Sequence, residues 1–201
     1  MGLGFIIMGW LGILIYLFLI FTANKLEKNG ETALLHLIIC FVFIFFTPLP
    51  LYLSFNNHNP IFWLSSIFVY LFLIMIIITM ALQVGHLSYS NKQLNNDKWQ
   101  ERDNWMIHGM LGDVFESIVN VVFHIWILLL AIGFFIEDEF VMAAIMTVFS
   151  LFIIRNLFIL LNVVIKKPMR LFQIFKMNSV ITTLETFIFF VVLVCWMTFY
   201  L

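Results

Sequence analysis

Four polar residues recur along one otherwise apolar stretch: Asp113, Glu116, Asn120 and His124. At 100° per residue they fall within about 80° of one helix face. Val122, Ile125 and Leu129 take the opposite side. A carboxylate and an imidazole so placed can pass a proton, hold a cation or tie neighbouring helices together. Downstream, Arg155 and Asn162 share a second face. Asn178, Thr182 and Glu185 share a third, with Thr186 beside them. The candidate intramembrane polar site is therefore Asp113, Glu116, Asn120, His124, Arg155, Asn162 and Glu185.

Arg155 makes the sharpest demand. Its guanidinium stays protonated, and leaving it unpaired at mid-membrane costs at least ~2.5–3.5 kcal/mol. Glu185 and Glu116 are the carboxylates expected to meet it. The set then reads either as an ion-paired network holding three helices together or as a binding and proton-relay site. The packing network is the preferred reading, because no motif accompanies these residues. HExxH, HxxEH and Glu-x-x-His patterns are absent, and no serine sits in a G-x-S-x-G elbow. His36 and His86 match in depth and are the candidate ligands for haem or a metal, although both fall near a boundary where a solvated histidine is ordinary. A zinc site drawn from Glu116, His124, Glu185 and His36 would have to close over a depth spread of ~10 Å. No cofactor is predicted. Cys40 and Cys195 lack a CxxC context and read as two separate buried thiols.

The elements that carry these residues follow from composition. Of 201 residues, 64% are hydrophobic and 10% charged, where soluble domains carry about 25% charge. Mean hydropathy is +1.10. That much apolar surface has to face lipid. A helix needs about 20 apolar residues to cross a hydrocarbon core of ~30 Å. Such runs occur at 3–22, 33–54, 60–83, 113–136, 140–165 and 179–200. They are too long and too continuous for barrel strands, and a helix satisfies its own backbone in lipid. The fold class is an all-α polytopic transmembrane bundle of six helices with short loops. Residues 1–201 form a single integral membrane domain. The first run lacks a basic leader and an A-x-A site, so it reads as a span and not as a signal peptide.

Nine of the ten Lys and Arg residues fall in the first, third and fifth connections; Arg155 is the exception. The second connection, with His58, has none, and the fourth is Glu137-Asp138-Glu139. The positive-inside rule puts the basic connections in the cytoplasm and both termini outside. The expected location is a bacterial plasma membrane. The third connection is the longest. Trp99, Trp105, Met106, Met110 and Leu111, set among charges with His108, read equally as a short interfacial helix leading into span four or as the exposed first turns of span four itself, with Trp99 and Trp105 as anchors. Pro48 and Pro50 predict a kink in span two, the one break expected in the bundle.

A net charge of −1 gives no basis for nucleic-acid binding. The expected partners are the lipid bilayer and another membrane protein or a second copy of the chain. The role put first is a non-enzymatic accessory, regulatory or immunity-type protein acting by helix packing. The alternatives are a small proton- or ion-coupled transporter using the polar face of spans four to six, and a membrane enzyme or haem protein.

Overall fold

The computed structural model describes residues 2–57, 59–93, 96–175 and 178–200. His58 and Lys176 lie outside the described residues, as do the side chains of His108 and Asp113. The described residues are helical and contain no strand. Six helices are long and apolar enough to cross a membrane. Span one is α1 (Gly2–Lys28). Span two is α2 (Thr32–Phe46) and α3 (Pro48–Asn56). Span three is α4 (Pro60–Ser90). A short α5 (Asn96–Asn104) and a π-turn (Trp105–Met110) lead to span four, α6 (Asp113–Ile136). Span five is α7 (Phe140–Ser150) and α8 (Phe152–Val164). After α9 (Arg170–Gln173), α10 (Ser179–Tyr200) is span six.

The ends of these helices follow from local chemistry. α1 stops in a Schellman turn. Gly30 takes a left-handed φ of 74°, Glu31 N donates to Leu26 O at 2.8 Å, and Gly30 N donates to Glu27 O at 3.0 Å. The α6–α7 turn repeats the motif with Asp138 at a φ of 61° and Glu139 N donating to Phe134 O at 2.9 Å. At α4, Asn59 Oδ1 accepts from Ile61 N at 3.0 Å and Pro60 follows at the first turn. Pro48 splits span two after Thr47, as the sequence predicts. Beside the break, the Thr47 carbonyl accepts the Tyr70 hydroxyl of span three at 3.1 Å.

Three expectations need correction. α1 and α4 run on to Lys28 and Ser90, so the basic ends of spans one and three project as helix where loop was expected. Span five is also broken, at Leu151. No proline lies there. Thr147 Oγ1 donates back to Ala143 O at 2.7 Å and Ser150 Oγ to Thr147 O at 2.8 Å, and such back-bonding bends a helix. The third is that the polar contact joining spans four, five and six does not run through Arg155. Spans one to five pack in chain order, and α10 packs against α1. Span four is the most enclosed, with 50% of its most apolar window buried, and span five the least, with 22%.

The centre of the bundle is aromatic. Phe46 and Phe190 stack at 3.8 Å. Phe123 meets Phe189 edge-on at 5.1 Å, and Trp126 and Phe189 are equally close. These rings join spans two, four and six across the interior. Gly9 and Gly12 let span one approach them. A Cβ on Gly12 would stand 2.5 Å from Phe46 Cε1. Outward positions such as Phe18, Phe21, Ile67 and Ile74 are large, apolar and exposed, as a lipid-facing surface requires. On the basic end, α5 is tied back to span three. Asp103 pairs with His86 Nε2 at 2.8 Å and accepts from Ser90 Oγ at 2.7 Å. Trp99 packs on Tyr89 at 5.2 Å with the Arg102 guanidinium 4.7 Å over its ring. The third connection thus holds a separate helix and not an extension of span four.

Candidate functional site

His124 comes from the middle of α6, Glu185 from α10 two turns past its start, and Asn156 from α8 just beyond the break in span five. The three are 1%, 6% and 2% exposed. His124 Nε2 contacts Glu185 Oε1 in a hydrogen-bonded ion pair. His124 Nδ1 lies 2.6 Å from Asn120 O, one turn back, and 3.2 Å from Asn156 Nδ2.

A backbone carbonyl only accepts, so Nδ1 carries a proton and donates to Asn120 O. An amide NH₂ could not then donate to Nδ1. A half-turn of the Asn156 amide brings its Oδ1 there as a second acceptor, an assignment chosen from the hydrogen-bond network. With Nδ1 protonated, one further proton is shared between Nε2 and Oε1. Whether it rests on nitrogen or oxygen, the pair is neutral overall, which makes its burial affordable in lipid. Its satisfaction is incomplete: Glu185 Oε2 is buried with no hydrogen-bond partner.

Beside this pair, on the end that carries the basic connections, lies a cavity of about 210 Å³. Spans one, two, three, four and six wall it. Glu116 and Asn120 line it from span four; Ser179, Thr182, Thr183 and Thr186 line it from span six. Tyr16 enters from span one, its hydroxyl donating to Thr183 O at 3.1 Å. Phe43, Phe72, Ile76 and Met80 close the other side. Asn120 thus touches both features, lining the cavity and accepting from His124 through its carbonyl. Thr186 lines the cavity as the chain neighbour of Glu185.

No protein-family model, curated protein or solved structure matches this chain.

The structure divides the sequence's candidates. It brings together His124 and Glu185, and it sets Glu116 and Asn120 in the cavity wall. The expected pairing of Arg155 with Glu185 or Glu116 is not formed. Both terminal nitrogens of Arg155 are buried without a hydrogen-bond partner, and Glu185 belongs to His124. The cause is helix rotation: Arg155 and Asn156 point 100° apart, and Asn156 is the one turned to span four. Asn162 is half-buried on the Arg155 face.

His36 Nδ1 meets Thr32 O in its own helix at 2.7 Å, while His86 is engaged by Asp103. Each of these rings therefore has a local partner, and a haem could take His86 Nε2 only by displacing Asp103. Among the described residues no group of three or more His, Cys, Asp or Glu could hold a metal. Cys40 and Cys195 are free thiols. Trp99 is packed onto span three, and Trp105 stands 62% exposed.

Sequence reasoning missed Tyr16, Asn156 and Thr183. Tyr16 is one ring in a continuous apolar run. Asn156 stood in the shadow of the neighbouring arginine. Both were visible as the polar atoms of their segments, and neither belonged to a repeated face.

Proposed function

We propose that this chain is a proton-linked carrier of small solutes. It sits in a bacterial plasma membrane with its basic connections in the cytoplasm and both termini outside. The observation that carries this reading is the His124–Glu185 pair, buried and partly unsatisfied one turn from a cavity wall. Packing alone would be served as well or better by apolar residues of similar volume. A histidine–carboxylate pair joined through one proton beside a cavity is the arrangement a proton-coupled site needs. Span five bends next to this pair, at Leu151, and sets the Phe152 ring centre 6.3 Å from that of His124. An accessory protein acting by outward helix packing has no use for this interior.

The test uses purified protein in vesicles with an entrapped pH-sensitive dye, challenged in turn with amines, amino acids, sugars and carboxylates. At least one class should change internal pH in wild-type vesicles and fail to do so with His124→Asn or Glu185→Gln at equal protein density. If every class leaves wild-type and empty vesicles alike, the carrier reading fails and the accessory role returns.

A further inference from the structure

The chemistry of the cavity wall names a solute class, an inference that rests on the carrier reading. Span six turns Ser179, Thr182, Thr183 and Thr186 to the cavity. Spaced at i, i+3, i+4 and i+7, these hydroxyl residues follow one helix face for about 10 Å. Thr182 Oγ1 donates to Asn178 O at 3.2 Å, and the Tyr16 hydroxyl donates to Thr183 O at 3.1 Å. A hydroxyl whose proton is committed to a backbone carbonyl still accepts through its lone pairs. Asn120, lining the cavity from span four, carries an amide that can donate and accept. The facing wall is apolar, with Phe43 and Phe72 edge to face at 5.5 Å. Glu116 is already engaged within the protein, so a cation would have to compete for it. No Lys, Arg or His is among the described lining residues. An ion entering here loses its hydration without a free counter-ion. A hydroxylated solute exchanges water for the oxygens of span six and lays its C–H face on the rings. At about 210 Å³ the space is smaller than the roughly 300–1,000 Å³ of drug-sized sites, so the occupant is small.

We infer that this cavity binds a small uncharged polyol, with its hydroxyls along span six and towards Asn120 and its C–H face against Phe43 and Phe72. Neighbouring hydroxyls on the solute match neighbouring acceptors on the helix, whereas a single hydroxyl engages only part of the row. Recognition uses hydrogen bonds and van der Waals contact, and no covalent bond changes. The solute brings no charge to balance, so proton stoichiometry belongs to the His124–Glu185 pair.

Calorimetry on the full chain in lipid nanodiscs at neutral pH tests this with probes built on one ring. They are cyclohexane-1,2-diol, cyclohexanol, the cationic 2-aminocyclohexanol and the anionic 2-hydroxycyclohexanecarboxylate. The diol should bind about tenfold or more tightly than either ion, and about threefold or more tightly than cyclohexanol. Thr182→Val with Thr183→Val removes two hydroxyls at nearly constant shape and should weaken the diol about tenfold. Thr22→Val is the control. Its hydroxyl donates back to Phe18 O at 2.8 Å on span one, away from the cavity wall, and diol binding should not change. Tighter binding of either ion, equal affinity for diol and cyclohexanol, unchanged diol binding in the double valine variant, or no binding by any probe would each overturn the inference. Should the double variant fail to fold, the probe ranking in wild type decides. The dye-loaded vesicles separate the two claims. Diol binding without a diol-driven change of internal pH sinks the carrier and keeps the polyol site. Internal pH changes driven only by amines, amino acids or carboxylates sink the polyol and keep the carrier.

Discussion

A buried pair that shares a proton is energetically lopsided. Removing either partner leaves a polar group in a dry interior, at a cost of about 3–5 kcal/mol, whereas removing both leaves an apolar gap. His124→Leu and Glu185→Leu should therefore each destabilise the protein by several kcal/mol. The double variant should recover much of that loss, with a coupling above ~1 kcal/mol in a thermal or denaturant unfolding cycle. Additive losses would show that the two side chains do not depend on each other. The sequence made half of this site legible. Glu116, Asn120 and His124 recur at a helical interval, so their common face followed from periodicity alone. Which partner reached that face did not. Arg155 has the larger electrostatic demand, yet Asn156 is the residue oriented towards His124. The rotation of span five about its axis depends on packing along its whole length, which a charge pattern does not report.

At the scale of elements, kinks and close approaches decide how the spans meet. Pro48 announced the break in span two because the missing N–H is a property of the residue itself. The break in span five depends on Thr147 and Ser150 choosing backbone carbonyls as acceptors, a choice open to any such residue in a helix and so invisible in advance. Gly9 and Gly12 did not fit the four-residue spacing of a helix-dimer motif. Within the chain they admit Leu49, Val194 and Phe46, as small residues do at membrane helix interfaces. Gly12→Ala should lower stability by about 1–3 kcal/mol, because Phe46 is fully buried in the aromatic centre and cannot swing aside. Gly4 supplies the control. A Cβ there meets nothing within 4 Å, so Gly4→Ala should be neutral or stabilising by up to ~1 kcal/mol. Unfolding in detergent with increasing SDS reads both variants. Equal effects would mean that span one does not pack against span two as described.

For the molecule as a whole, charge and shape point the same way along one axis. Lys25, Lys28, Lys92, Lys98, Arg102, Lys166, Lys167 and Arg170 gather at one end of the bundle, and Glu137, Asp138 and Glu139 mark the other. The cavity lies towards the basic end, where Ser179 opens span six and Glu116 opens span four. If that end faces the cytoplasm, the cavity opens towards the inside. Cysteine labelling in intact cells tests this, with Cys40 and Cys195 replaced. A cysteine at Asn29, in the exposed turn after α1, should resist an impermeant thiol reagent and react only after the membrane is permeabilised. A cysteine at Asn57 or at the exposed Asp138 should react at once. A cysteine at Ser179, exposed at the start of α10, should behave like Asn29. Immediate labelling at Asn29 with protection at Asn57 would invert the topology. The cavity would then open to the outside, and the same chemistry would have to serve uptake.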